Sequence, residues 1–137
     1  MADEAVMKDR LEEPINFTVN QANSLEKGAV LKMTDNRVAI INSGMNDIIA
    51  GINGREKLAG DTRTSTPVFR RGVFAMVCSG SVTTGDAVAV AAQVNQIHTA
   101  QATVKSGSII GIALMDGADD EVIHIDVHVG SGGNQVS

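Results

Sequence analysis

The sequence predicts an all-β fold: a small pseudo-symmetric β-barrel or sandwich built from two similar halves, with an N-terminal arm. Three observations lead there. From Gly28 onward, short apolar runs rich in β-branched residues are cut by Gly, Asn and Asp. The order of these pieces repeats within the body. Aromatic content is 2%, with three Phe and no Tyr or Trp, so the core must come from Val, Ile, Leu, Ala and Met. Small side chains bury little area each, at roughly 25 cal/mol per Å². A chain of 137 residues with such a core gains by sharing buried surface with other copies.

Residues 1–22 are expected as the arm. Ala5, Val6, Met7 and Leu11 fall along one side of a short helix that Pro14 would stop. Ile15-Asn16-Phe17-Thr18-Val19 then alternates apolar and polar, the period of a half-buried strand. The body, residues 23–129, holds expected strands at Ala29–Met33, Arg37–Ile41, Asp47–Ile52, Pro67–Arg70, Gly72–Cys78, Ala87–Val90, Gln96–Thr99, Ser108–Leu114 and Val122–Val129. Asp35-Asn36, Arg71-Gly72, Thr84-Gly85-Asp86 and Asp116-Gly117 are turn signals, because Gly and Asn tolerate positive φ and Asp bonds its own backbone. Residues 53–65 are polar and aperiodic, a long loop suited to contacts with a partner. Residues 130–137 are Gly- and Ser-rich and expected as a flexible tail.

The repeat pairs Ser24-Leu25-Glu26-Lys27-Gly28-Ala29-Val30-Leu31 with Ser81-Val82-Thr83-Thr84-Gly85-Asp86-Ala87-Val88. Asn36-Arg37-Val38 pairs with Asn95-Gln96-Ile97, and Asp47 through Ile52 pairs with Ser108 through Ile112. Each unit reads as a Gly turn, a strand, a second turn containing Asn, and a buried Ile-Ile strand. Gly51 and Gly111 inside that last strand mark a bulge or a close backbone approach. One such unit cannot bury its own apolar face, and two closed on one another make a pseudo-symmetric barrel.

Several functions are disfavoured by the residues themselves. The formal charge is -5 and aromatic rings are scarce, so nucleic acid finds neither a phosphate-neutralising patch nor a stacking platform. No apolar run approaches the roughly 20 residues of a membrane span. Met1-Ala2-Asp3-Glu4 opens acidic, without a basic stretch before an apolar core, so no secretory signal is expected. Cys78, the single cysteine, lies in an apolar run with no protease-like context and reads as a small buried hydrophobe. Gly51-Ile52-Asn53-Gly54 has no phosphate-loop context, and no nucleophile elbow is present. Asp116, Asp119, Asp120 and Glu121 lack EF-hand spacing and read as a solvated turn.

Two groups of polar residues stand out. His124, Asp126 and His128 alternate on one strand and share a face, and these are ligand types a transition metal accepts. Neighbours on one strand face are about 7 Å apart, which works against convergence on one ion. Their alternation with Ile123, Ile125 and Val127 is explained by a solvated face, and copies meeting at a symmetry axis are a further reading. No metal and no cofactor are therefore expected; a small β-barrel ligand- or metal-binding module, for sugar or a metal ion, is the alternative function. Arg55, Lys57, Arg63, Arg70 and Arg71 gather positive charge in the middle of an acidic chain and suit contact with an acidic protein surface.

Taken in order, Gly28-Ala-Val-Leu-Lys-Met-Thr-Asp, Ile49-Ala-Gly-Ile, Val68-Phe-Arg-Arg-Gly-Val-Phe, Ser81-Val-Thr-Thr-Gly-Asp-Ala-Val and Ser108-Ile-Ile-Gly-Ile-Ala-Leu, with a closing acidic-led strand, form a recognisable series. Over about residues 24–129 the chain resembles the head decoration, or capsid cement, proteins of tailed bacteriophages. The resemblance implies a β-rich, non-enzymatic virion protein, made in the host cytoplasm, that binds the outer face of a capsid, often as a trimer. Its partners would be the major capsid protein and other copies of itself. Ile15, Phe17 and Val19 are expected to add a strand to a neighbour's sheet edge, and the five basic residues to meet the shell.

Overall fold

The computed structural model describes residues 3–45, 47–100 and 106–129. In chain order the strands are β1 Val6–Arg10, β2 Ile15–Thr18, β3 Val30–Asp35, β4 Val38–Ile41, β5 Ile49–Asn53 and β6 Ser65–Phe69. They continue with β7 Arg71–Cys78, β8 Ala87–Val90, β9 Gln96–Thr99, β10 Ile109–Ala113 and β11 Val122–His128. A short 3-10 turn, Ser106–Ser108, precedes β10. Among the described residues no helix is long and apolar enough to cross a membrane.

The strands form two closed barrels rather than one. The first runs β2-β4-β3-β5-β6 and back to β2. The second is β7-β11-β10-β8-β9, closed because β7 pairs with both β11 and β9. Pairing for pairing they are the same object. The closing contact is parallel in each, β2 with β4 and β7 with β9, and every other contact is antiparallel. An isolated bridge ties the same two loops in each, Leu25 to Lys57 and Val82 to Gly117.

The repeat seen in the sequence is the signature of this duplication. Gly28 and Gly85 occupy equivalent turns with φ of 89° and 91°, a region open to Gly at no steric cost. Gly51 and Gly111 face the next strand at such short range that a Cβ would stand 2.4 Å from the Phe69 carbonyl oxygen and 2.1 Å from that of Asp126. A register shift accompanies each, in β3–β5 and in β8–β10. One pairing of the repeat moves by a residue. Since β4 begins at Val38 and β9 at Gln96, Asn95 corresponds to Arg37 and not to Asn36, and both have positive φ, 65° and 53°.

Each barrel has its own apolar filling. Phe17, Val19, Leu25, Leu31, Ala39, Ala50 and Val68 fill the first. Phe74, Met76, Val88, Ile110, Ile123 and Ile125 belong to the second cluster, which also takes in Val30, Ile49 and Ile52 from the first half, so the two barrels share packing. Polar contacts reinforce the junction: the Val30 amide donates to Asn95 Oδ1 at 2.9 Å, and Ser108 Oγ donates to the Asp47 carbonyl at 2.6 Å.

Two local expectations are corrected. The helical turns expected over Ala5–Leu11 are a strand, β1, antiparallel to β7. Ala5 is buried, Val6 exposed and Met7 half-buried, a period-two pattern that the apolar spacing had masked. The edge of β7 supplies hydrogen-bond partners that override local helix propensity. The turn expected at Arg71-Gly72 is not there: both residues lie within β7, and the chain bends at Arg70 instead. The expected tail, 130–137, lies outside the described residues.

Candidate contact surface

The residues expected to touch a partner separate into buried anchors and exposed ones. β2 is a stave of the first barrel, paired with β6 and β4. Phe17 and Val19 therefore point into the barrel and are 3% exposed, while Ile15 is 41% exposed. The alternation was legible in the sequence; which wall the strand joined was not.

Lys57 is the largest departure. It is fully buried, and its ammonium donates to the carbonyls of Gln21 at 2.7 Å, Asn23 at 2.9 Å and Leu58 at 3.2 Å. Asp61 Oδ1 stands 3.3 Å away. Burial pushes the Asp61 carboxyl up, but the Arg63 and Leu58 amides and the Lys57 ammonium outweigh it and hold the group below its ordinary value. Arg63 is folded back, donating to the Glu56 carbonyl at 2.7 Å. Asn53 completes the knot, donating to the Glu26 and Arg55 carbonyls at 2.9 and 2.7 Å and accepting from Thr66 Oγ1 at 2.6 Å. The long polar loop is thus pinned from inside, and of its three basic residues Arg55 alone is an exposed side chain. Nothing in residue type distinguishes Lys57 from a surface lysine, so its role was not legible; Asn53 and Asn95 were missed for the same reason.

Arg70 and Arg71 belong to a second place, the link between the barrels. Arg70 Nη1 donates to the Ala50 carbonyl at 2.7 Å, and burial lowers its pKa against the pull of Glu12. Arg71 begins β7 opposite His128, with its Nε buried and without a hydrogen-bond partner. Of the five basic residues, Lys57 is thus withdrawn from the surface and Arg63, Arg70 and Arg71 are half-buried.

Cys78 is fully buried, and burial, then Glu121 and Asp119, push its thiol up. His124, Asp126 and His128 lie on the outer face of β11, with Ile123, Ile125 and Val127 inside. Among the described residues no three His, Cys, Asp or Glu side chains gather closely enough to share a metal ion. What the arrangement provides is surface: two rigid barrels, a pinned loop, and an edge strand, β1, at the margin of the second sheet.

No protein-family model matches the chain, and no curated protein sequence does. A solved structure does match in shape: the N base of the head fiber gp8.5 of bacteriophage phi29, with a TM-score of 0.54 over 82% of this chain and 91% of that one. The fold matches a phage head fiber base. Sequence identity between the two is 9%, so the likeness lies in the path of the backbone and not in shared side chains.

Proposed function

We propose that this chain is a non-enzymatic structural protein of a phage head, bound to the outer surface of the capsid, where copies associate as trimers and bridge neighbouring major capsid protein subunits. The observation that carries this reading is the fold shared with a head fiber base over most of both chains. The ordered β motifs that resemble capsid cement proteins support it from an independent direction.

The physics of the fold suits fastening. Barrel closure pairs each stave on both sides, so among the described strands β1 alone keeps an open edge. Many copies of a modest interface on one lattice give large avidity. The expected contact residues that the fold leaves exposed are Ile15 and Arg55, and the shell contact runs through them and through the outer edge of β1. Neither nucleic acid nor membrane has a part in it.

The test is the protein content of virions purified from the phage that encodes the chain, measured by mass spectrometry, together with antibody labelling of intact particles. Stoichiometric copies accessible to antibody on intact heads are expected. A chain abundant in the lysate but absent from purified particles would overturn the proposal.

A further inference from the structure

Once in the chain a glycine directly follows an asparagine, at Asn53-Gly54. A glycine in that place leaves its backbone nitrogen unshielded by a side chain, so it can attack the carbonyl carbon of the asparagine side chain. Attack joins the Gly54 nitrogen to Asn53 Cγ and breaks the bond from Cγ to Nδ2. The proton of the Gly54 amide passes to a base in the solvent, and the departing nitrogen takes a proton from water and leaves as ammonia. The product is a cyclic succinimide, and water opens either of its carbonyls to give aspartate or isoaspartate. In sum, a carboxamide and water become a carboxylic acid and ammonia, with nothing oxidised or reduced.

The fold both requires this pair and locks it. Gly54 is required because a Cβ would stand 2.8 Å from Phe69 Cε2 and 3.2 Å from the Pro67 carbonyl oxygen. Asn53 is required because its amide nitrogen donates to the carbonyls of Leu25 at 3.3 Å, Glu26 at 2.9 Å and Arg55 at 2.7 Å, a role that a carboxylate cannot fill. The same contacts hold the reacting groups still. The Asn53 carboxamide is buried, and Thr66 Oγ1 donates to its oxygen at 2.6 Å. The attacking nitrogen is engaged as well, since the Gly54 amide donates to the Pro67 carbonyl at 2.8 Å. The Asn53 amide and carbonyl are tied to Ala29 and Gly28, each at 2.8 Å. A near-attack arrangement therefore needs the end of β5 to part from β6 and the loop to open. Once the reaction has run, an ionised carboxylate faces three carbonyl oxygens in a buried place, acceptor against acceptor. Isoaspartate also lengthens the main chain inside β5.

We infer that Asn53-Gly54 is a latent deamidation site, silenced by the hydrogen bonds that pin the first barrel's loop, and that its reaction makes an opening of that loop permanent. Peptide mapping by mass spectrometry follows acid formation at Asn53 in the full-length chain at mildly alkaline pH, native and in denaturant. Closing is fast beside deamidation, so the native rate reports the population of the open loop. The native chain should react at least about 100-fold slower than the denatured one. Thr66→Val removes the hydroxyl that holds the carboxamide oxygen, and Lys57→Met removes the ammonium that pins the loop. Each should speed the native reaction about 10-fold or more and leave the rate in denaturant unchanged. Equal native and denatured rates overturn the inference, as do native rates in both variants equal to that of wild type. Asn53→Asp supplies the product directly. Its denaturant midpoint should fall, or its first barrel should fail to close as read by circular dichroism; a midpoint equal to wild type overturns the claim of permanence. None of these readouts depends on whether the chain binds a capsid.

Discussion

Gly111→Ala is the sharpest probe of the twin-barrel architecture. The added Cβ would stand 2.1 Å from the Asp126 carbonyl oxygen, 2.9 Å from its carbonyl carbon and 3.0 Å from Val127 Cα. These are backbone atoms of β11, held by β7 on the other side, so relief requires moving a wall of the barrel. Overpacking of this kind costs about 1–3 kcal/mol, and a clash with backbone belongs at the upper end. The reduced freedom of the unfolded chain returns about 0.4–1 kcal/mol, leaving a net loss of about 2 kcal/mol. Gly51→Ala meets the Phe69 carbonyl oxygen at 2.4 Å and Val68 Cγ1 at 2.7 Å, and its φ of 147° adds strain, so it should cost at least as much. Gly85→Ala is the control: nothing lies within 4 Å, and only its φ of 91° opposes a side chain, a penalty of about 1 kcal/mol. At about 3 °C per kcal/mol for a chain of this size, thermal unfolding followed by circular dichroism should fall by about 6 °C or more for Gly111→Ala and Gly51→Ala. Gly85→Ala should lose about 3 °C. A Gly111→Ala midpoint equal to wild type would refute the claim that close backbone approach is what selects Gly there.

Other outcomes follow from the same contacts. Lys57→Met leaves the Gln21 and Asn23 carbonyls without their buried donor and should destabilise by about 2–3 kcal/mol, read as a lower denaturant midpoint. Asp61 has a folded-state pKa below its unfolded one, so its contribution is present above the unfolded value and is lost as pH falls through the folded one. Asp61→Asn should therefore flatten the acid limb of the stability profile below about pH 4. Cys78, buried with a raised thiol, should react with a disulfide reagent only on opening, at least about 100-fold slower than in denaturant. Removal of residues 1–11 takes away β1 and should leave both barrels closed. Removal of 1–19 also takes β2 with Phe17 and Val19, and should unfold the first barrel, visible as lost circular-dichroism intensity.

By itself the sequence determined the class, the strands from β2 onward to within a few residues, and the duplication. These follow from local causes: β-branched runs, period-two alternation at Ile15–Val19 and Val122–Val129, and glycines where a turn or a close approach admits no side chain. The tertiary structure decided what depends on partners far along the chain. Whether the two halves close one barrel or one each turns on the parallel contacts of β2 with β4 and β7 with β9, Thr18 with Val38 and Val77 with Gln96, which no local pattern of residue type marks. It turned Ala5–Leu11 from helix into strand by offering an edge of β7. It sank Lys57 inside a loop while leaving Arg55 in water, because three backbone carbonyls happen to converge where the Lys57 ammonium can reach them. Apolar period and turn chemistry are written residue by residue; the direction in which a strand finds its neighbour, and so which side chains remain on the surface, is set only when distant segments meet.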